Sequence, residues 1–128
     1  MIAVMLFKDT LYSIESSERS ADSARYRIRL NAEHAIYRAH FPGEPITPGV
    51  CILQMALELL SDAVGGNVAL ANAKNVKYLS ILRPDGVPVD VTLTRIEDTP
   101  DGLKAQIAFQ KEETPVAKLS LLCRRIAE

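Results

Sequence analysis

The stretch from His40 to Leu60 constrains the fold of this chain more than any other part of its sequence. It begins HFPGEPITPG and continues VCILQMALELL. Three prolines and two glycines make the first half a stiff loop, because each proline fixes its own φ and biases the preceding residue toward extended structure. Thr47 suits an N-cap and Pro48 suits the first helical position. The sequence therefore predicts a helix that runs to about Val64, where Gly65-Gly66 provides a C-cap signal.

The predicted helix has apolar residues on nearly every side. Its polar residues, Gln54, Glu58, Ser61 and Asp62, fall on one narrow stripe. A helix that is apolar all round is buried, and at about 25 Å this one is too short to span a bilayer. The rest of the chain must therefore wrap around it.

Alternating apolar and polar residues outside the helix indicate strands joined by short turns. We predict a connection over residues 67–73, and the predicted strands cover residues 11–17, 24–30, 74–82, 87–94, 103–109 and 117–123. Short turns favour antiparallel pairing, and one buried helix against one sheet is an α+β architecture. We expect a curved antiparallel sheet of about six strands around one long central helix. The length of 128 residues fits a single domain over 1–128.

Composition excludes several classes of function. A net charge of −1 gives no basic excess for nucleic acid. Cys51 and Cys123 lack the spacing of metal ligands, so we expect no metal site and two buried free thiols in a reducing compartment. The apolar start, Met1–Phe7, lacks the basic region of a signal peptide and ends at Lys8-Asp9. These features predict a cytoplasmic protein without a membrane span.

The chain has two histidines, and they differ in their surroundings. His34 has no companion ligands nearby in the sequence. His40 lies at the mouth of the loop that delivers the helix N-terminus, where the N–H of Gly49 and its neighbours lack partners within the helix. Such N–H groups favour a developing negative charge, and a histidine beside them can remove a proton next to a carbonyl. A hydrogen-bonded structural role for His40 is the alternative, and both stay open on these grounds.

The motif HFPGxPIxPGV followed by an apolar helix resembles the 3-hydroxyacyl-[acyl-carrier-protein] dehydratases, which are hotdog-fold enzymes of fatty-acid synthesis. The resemblance implies a curved antiparallel sheet wrapped around a central helix. It also implies a homodimer with active sites at the interface, sometimes assembled as a trimer of dimers. The substrate would be an acyl chain linked through phosphopantetheine to acyl carrier protein, and no cofactor is implied.

The resemblance also assigns roles to residues of the motif. His40 takes the position of the base that abstracts the C2 proton of a 3-hydroxyacyl thioester. The backbone N–H of Gly49 takes the position that holds the thioester oxygen. Phe41, Pro48 and Val50 lie where the substrate is bound.

Gln54 departs from the family pattern, because the family has Glu or Asp at this position to assist loss of the 3-hydroxyl group. A glutamine orients a hydroxyl group or a water but does not exchange a proton near neutral pH. One turn later, where many family members have glutamine, this chain has Glu58. One hypothesis is that Glu58 takes over the acid role, although it sits about 6 Å further along the helix axis.

Two rival functions remain open. A hotdog acyl thioesterase could use Gln54 and Glu58 to direct water at the carbonyl carbon. A catalytically weakened subunit could bind acyl carriers and partner a catalytic hotdog chain. In either case the basic stripe of Arg25, Arg27 and Arg29 could dock an acidic carrier protein, with a solvated sheet face as the plainer interpretation.

Overall fold

Six strands and two helices make up the described part of the chain in a computed structural model, which covers residues 5–39 and 43–126. In chain order these elements are β1 (Tyr12–Arg19), β2 (Ala24–Leu30), α1 (Ile36–Ala39), α2 (Gly49–Val64), β3 (Val68–Tyr78), β4 (Val89–Thr99), β5 (Gly102–Lys111) and β6 (Thr114–Arg125).

The six strands form one sheet in the order β1-β2-β4-β5-β6-β3, and every neighbouring pair is antiparallel. Tight turns join β4 to β5 and β5 to β6, which is the pairing that short connections favour. The long excursion from β2 through α2 to β3 carries the chain to the far edge of the sheet. As a result β1 and β3 are the two edge strands.

One face of the sheet and almost all of α2 form a single core. The inward residues of β2, β5 and β6 are buried at alternate positions, as their sequence periodicity predicts. Helix α2 contributes ten buried residues, including Met55, Leu57 and Leu59, none of which is exposed to solvent. A curved antiparallel sheet around a central helix is the hotdog fold, and that prediction is confirmed.

The start of β3 was predicted wrongly. The strand begins at Val68, whereas the sequence analysis placed a connection over 67–73 and began the strand at Lys74. Shifts of register at Ala71 and Lys74 mark two β-bulges in the pairing of β3 with β6. Bulges destroy the alternation on which a sequence prediction depends. The four-residue helix α1 was also not predicted.

Helix α2 ends as predicted but begins differently. Gly65 adopts a left-handed conformation with φ 74° and closes the helix through its N–H to the Ser61 carbonyl oxygen. At the other end Pro48, with φ −61° and ψ 147°, is the N-cap, and no side chain caps the helix. The prediction that Thr47 is the N-cap and Pro48 the first helical residue is therefore wrong by one position, because the Thr47 hydroxyl group has a different partner.

Both cysteines are buried free thiols, as predicted. Burial raises the pKa of the Cys51 thiol and raises that of Cys123 to about 11. Over residues 5–39 and 43–126, neither helix combines the length and apolar character that crossing a bilayer requires.

Candidate active site

The loop that delivers α2 is fixed by contacts on both sides of Thr47. Its backbone N–H donates to the Leu82 carbonyl oxygen at 2.8 Å. Its hydroxyl group is buried and forms a hydrogen bond of 2.9 Å with the Tyr37 phenol. Arg83 also pairs with Glu44 of the loop at 2.9 Å. These contacts hold the start of α2 against the chain that follows β3.

His40 and Phe41 lie outside the described residues, together with Pro42. The described chain resumes at Gly43, which has a positive φ of 84°. The base role of His40 and the substrate contact of Phe41 stay predictions. The path from Gly43 to the N-cap nevertheless shows that the loop ends where it was expected to end, at the first turn of α2.

Gly49 is the first residue of α2, and it is covered by Tyr78. The Tyr78 hydroxyl group donates to the Gly49 carbonyl oxygen at 2.7 Å. A Cβ on Gly49 would lie 2.7 Å from Cζ of the tyrosine ring, so a side chain there would require the ring to move. The structure thus explains the glycine at position 49, because the Tyr78 ring occupies the space that a side chain would take. The N–H of Gly49 belongs to the first turn of α2, where N–H groups lack intrahelical acceptors and the helix dipole is positive.

Apolar side chains are exposed around this helix start. Val50, Tyr78, Leu79 and Ile81 are between 47% and 58% exposed, and we call this group the helix-start patch. Two hydrogen bonds bring these residues near the start of α2, since Tyr78 contacts Gly49 beside Val50, and Thr47 pairs with Leu82 beside Ile81. Val50 and Pro48 therefore lie at the surface where a substrate was predicted to bind. Clustered apolar exposure of this kind marks binding surfaces more often than single exposed residues do.

Gln54 and Glu58 lie together on the polar stripe of α2, as their spacing predicted, but inside the protein. Gln54 is 4% exposed and Glu58 is 0% exposed. The Gln54 Nε2 donates to Glu58 Oε2 at 3.0 Å. The other contacts of this carboxylate come from the N-terminal segment. Its Oε1 accepts the Lys8 N–H at 2.9 Å and the Tyr12 hydroxyl at 3.1 Å. Its Oε2 accepts the Phe7 N–H at 3.0 Å.

Every one of these partners donates to Glu58, so the carboxylate acts as a buried acceptor. Its negative charge and hydrogen bond, together with burial as the largest cause, raise the pKa of Tyr12. Four donor groups enclose the Glu58 side chain, and the resulting hydrogen bonds anchor the N-terminal segment to α2. This arrangement favours an anchoring role for Glu58 over the acid role that the exchanged positions suggested.

His34 has structural contacts that account for it. Its Nδ1 accepts the Ile36 N–H at 3.0 Å at the start of α1. Its ring meets the Phe7 ring edge-on, with centroids 5.9 Å apart. These contacts give His34 a structural role at the start of α1.

The basic stripe on β2 consists of three arginines, and two of them have partners within the chain. Arg27 pairs with Asp90 at 2.9 Å, and Arg29 pairs with Glu15 at 2.6 Å. Arg25 is exposed on the same strand. The outer face of the sheet therefore uses two of these cations in ion pairs with neighbouring strands.

Sequence reasoning missed the tyrosines around α2. Tyr12 lies in the predicted strand over 11–17, but no pattern linked it to Glu58, which lies 46 residues away. Tyr37 lies in the unpredicted α1, and Tyr78 was placed within a strand without a role. Glycine at position 49 was the one local signal, because a close approach of a large group can require it.

The fold is that of the hotdog proteins, and a family match identifies this chain as a dehydratase among them. A family model for ApeI-like proteins, described as ApeI dehydratase, matches residues 16–120. The chain belongs to the ApeI-like dehydratase family, and it is a carbon–oxygen lyase by that membership.

Known relatives agree with this assignment. The chain is 30% identical over 126 residues to the 3-hydroxyacyl-[acyl-carrier-protein] dehydratase FabZ of Latilactobacillus sakei, with 92% of this chain and 87% of that protein covered. The fold is similar to the dehydratase heterocomplex ApeI:P from Xenorhabdus doucetiae, with a TM-score of 0.76, 15% identity, and 88% and 97% of the two chains covered. A hypothetical thioesterase with coenzyme A from Streptococcus pneumoniae shares the fold at a TM-score of 0.66 and 8% identity, over 91% and 87% of the two chains.

Proposed function

We propose that this chain converts 3-hydroxyacyl thioesters carried on acyl carrier protein into trans-2-enoyl thioesters, in fatty-acid or related lipid synthesis. The observation that carries the proposal is the start of α2, where a proline-rich loop presents Gly49 as the first helical residue. An N–H at this point can hold the thioester oxygen as negative charge develops on it. The relative from Latilactobacillus sakei bears the name of this reaction.

The reaction divides into two proton movements around His40. The neutral imidazole takes the C2 proton, and the electrons of that C–H bond move toward the thioester oxygen, which the Gly49 N–H stabilises. The C2=C3 double bond then forms as the C3–O bond breaks. The leaving hydroxide needs one proton to become water, and the Gln54 carboxamide does not exchange one near neutral pH. We assign this second transfer to the His40 imidazolium, which returns the C2 proton, while Gln54 orients the hydroxyl group.

Turnover of a 3-hydroxyacyl thioester on acyl carrier protein tests the proposal. The purified protein is incubated with this substrate, and enoyl product and free thiol are both measured by mass spectrometry. We expect enoyl product without free thiol, and a loss of about 10²–10⁴-fold in His40→Ala. His34→Ala is the matched control and should keep its turnover. Free thiol in place of enoyl product would instead establish the thioesterase.

The pH profile tests whether His40 carries both transfers. If it does, kcat/KM falls only at low pH, as the imidazole becomes protonated and can no longer act as a base. The variant Gln54→Glu/Glu58→Gln places a carboxyl group at the family's acid position and keeps one amide and one carboxylate in the pair. In this variant kcat/KM should also decline at higher pH, where that acid loses its proton. A decline of kcat/KM at higher pH in the wild-type protein would contradict the single-histidine mechanism, because it would reveal a separate general acid.

A second candidate function is a weakened subunit that partners a catalytic hotdog chain. The observation that favours it is Gln54 at the position of the family's acid. The similar fold from Xenorhabdus doucetiae is part of a heterocomplex. The test is whether the wild-type protein and the exchanged variant yield enoyl product alone. If neither does, and a co-expressed hotdog chain co-purifies with this chain and yields enoyl product, the weakened-subunit function replaces the dehydratase function.

We further infer a homodimer that covers the helix-start patch, because apolar surface beside Gly49 would otherwise face water. Three such dimers can assemble further into a trimer of dimers through a different surface, and two buried free thiols support a cytoplasmic location. Light scattering should give at least twice the chain mass of 14.1 kDa. Ile81→Asp should shift the protein toward monomer, whereas Leu6→Asp, at a similarly exposed leucine outside the patch, should not. Equal masses for the two variants would rule out this interface.

A further inference from the structure

The outer face of the sheet, on the side away from α2, carries a concentration of cations. Two adjoining grooves of about 360 Å³ and 350 Å³ run over β4, β5, β6 and β3, and both are lined by Gln106 and Ser120. We define the cationic face as the five cations that line these grooves, Lys74, Lys77, Arg95, Lys104 and Lys118. We propose that the cationic face binds the surface of an anionic lipid bilayer.

The fold does not neutralise the cations of this face. None of the five forms an ion pair with any residue that the structure describes. Lys77 lies directly opposite Lys118 in the pairing of β3 with β6, and like charges at opposed positions destabilise a sheet. Glu97 lines one groove and lies opposite Lys104, but the two side chains form no ion pair. These positive charges are therefore available to a partner.

Charge is unevenly distributed over the molecule as a result. Five cations and one acid, Glu97, give the grooves a charge of +4 in a chain whose net charge is −1. Over β1, β2 and β4 the outer face differs, because Arg27 and Arg29 pair with carboxylates there. An anionic bilayer attracts each lysine or arginine near its surface and repels the acidic remainder of the chain. The protein should therefore bind with the cationic face toward the lipid and with the start of α2 directed away from it.

The composition of the face favours a lipid surface over a protein partner. Protein interfaces are enriched in aromatic residues and arginine and are depleted of lysine. Four of the five cations are lysines, and the exposed large apolar side chains of the described chain lie in the N-terminal segment and around the start of α2. A hydrated ammonium group on a flexible stem suits a fluid array of headgroups, which requires no fixed geometry. A carrier protein bound here would also have the sheet between itself and Gly49.

Sedimentation with lipid vesicles tests the inference on the wild-type protein, and it does not depend on the proposed reaction. Vesicles of equal parts phosphatidylglycerol and phosphatidylcholine should sediment the protein, whereas vesicles of phosphatidylcholine alone should not. Raising the salt from about 0.1 M to about 1 M shortens the Debye length from about 10 Å to about 3 Å and should release the protein. Absence of sedimentation with anionic vesicles, equal binding to both kinds, or binding that survives high salt would each overturn the proposal.

Two charge-matched variants locate the contact. Lys77→Ala/Lys118→Ala should lower the partition coefficient onto anionic vesicles by about 30-fold, because each cation near the bilayer contributes a factor of about five. Lys8→Ala/Arg25→Ala removes the same charge outside the cationic face and should change the partition coefficient little. Neither variant removes an ion pair between described residues, so both should fold, as circular dichroism will check. Equal losses in the two variants would overturn the assignment to this face.

The acidic carrier protein is the rival occupant. Calorimetric titration with purified holo acyl carrier protein, run beside the vesicle assay, distinguishes the two. If Lys77→Ala/Lys118→Ala weakens carrier binding and anionic vesicles do not sediment the wild-type protein, the partner is an acidic protein and the lipid proposal is overturned. We expect instead that this variant loses vesicle binding and keeps its KM for the soluble carrier substrate. Absence of enoyl product from the wild-type protein would contradict the proposed function alone.

Discussion

At the scale of single residues, the most demanding position is Gly49. Its carbonyl oxygen accepts a hydrogen bond from the Tyr78 hydroxyl group, and the proposed function also requires its N–H for the substrate. The tyrosine ring occupies the space of a missing side chain, at 2.7 Å from where a Cβ would lie. The residue therefore links the proposed oxyanion contact to the last residue of β3.

We expect Gly49→Ala to lower the free energy of unfolding by about 1–3 kcal/mol, because the methyl group forces the Tyr78 ring to move. Thermal denaturation measures the effect. The Tyr78→Ala background lacks the ring, so the loss of unfolding free energy caused by Gly49→Ala should largely vanish there. An equal cost in both backgrounds would show that the ring does not determine the need for glycine.

The same scale shows where prediction from sequence stops. The spacing of Gln54 and Glu58 placed both side chains on one stripe of α2, and the structure has them in contact. The partners of Glu58 could not be predicted, because two of them are backbone N–H groups and carry no signature in a side chain. The stripe suggested access to a site, whereas the fold buries it under the N-terminal segment.

At the scale of elements, α2 is the part of the fold that the sequence predicted best. Its apolar periodicity and its glycine C-cap are local signals, and both are confirmed. The edge strand β3 was predicted least well at its start. Its first half consists mainly of small and polar residues, ALANAKN, which have weak strand preference, and pairing with β6 decides its conformation.

The glycine pair after α2 provides a matched test of the helix end. Gly65 has a left-handed φ of 74°, whereas Gly66 does not, and no atom lies within 4 Å of a Cβ built on either residue. Gly65→Ala should therefore cost about 1 kcal/mol from backbone strain alone, and Gly66→Ala much less. Thermal unfolding should show a drop of roughly 3–5 °C for the first variant. Equal melting temperatures would contradict a left-handed cap.

At the scale of the whole molecule, the four tyrosines connect the surrounding elements to α2. Each hydroxyl group bonds to the helix or to the loop before it: Tyr12 to Glu58, Tyr26 to Asp62 at 2.7 Å, Tyr37 to Thr47, and Tyr78 to Gly49. Burial is the largest cause of the raised pKa of all four. The fold therefore depends on phenols that stay protonated.

This dependence predicts a loss of stability at alkaline pH. In the unfolded chain tyrosine ionises near its ordinary pKa of about 10, whereas the folded protein retains its phenol protons to higher pH. The unfolded state then binds fewer protons, so the free energy of unfolding decreases as the pH rises above about 10. Absorbance at the tyrosinate band should rise together with the loss of circular dichroism. Tyrosine ionisation near pH 10 in a protein that keeps its fold would contradict the prediction.

The anchor of Glu58 has a consequence for how this chain can change over evolution. Two of its four donors are main-chain N–H groups, at positions 7 and 8. Every amino acid except proline carries that group. Any other substitution at these two positions therefore keeps both main-chain donors to the carboxylate, even where it alters side-chain packing such as that of Phe7 against His34. Only proline at position 7 or 8 removes a main-chain donor to Glu58. A comparison of side chains alone would not single out proline at these positions.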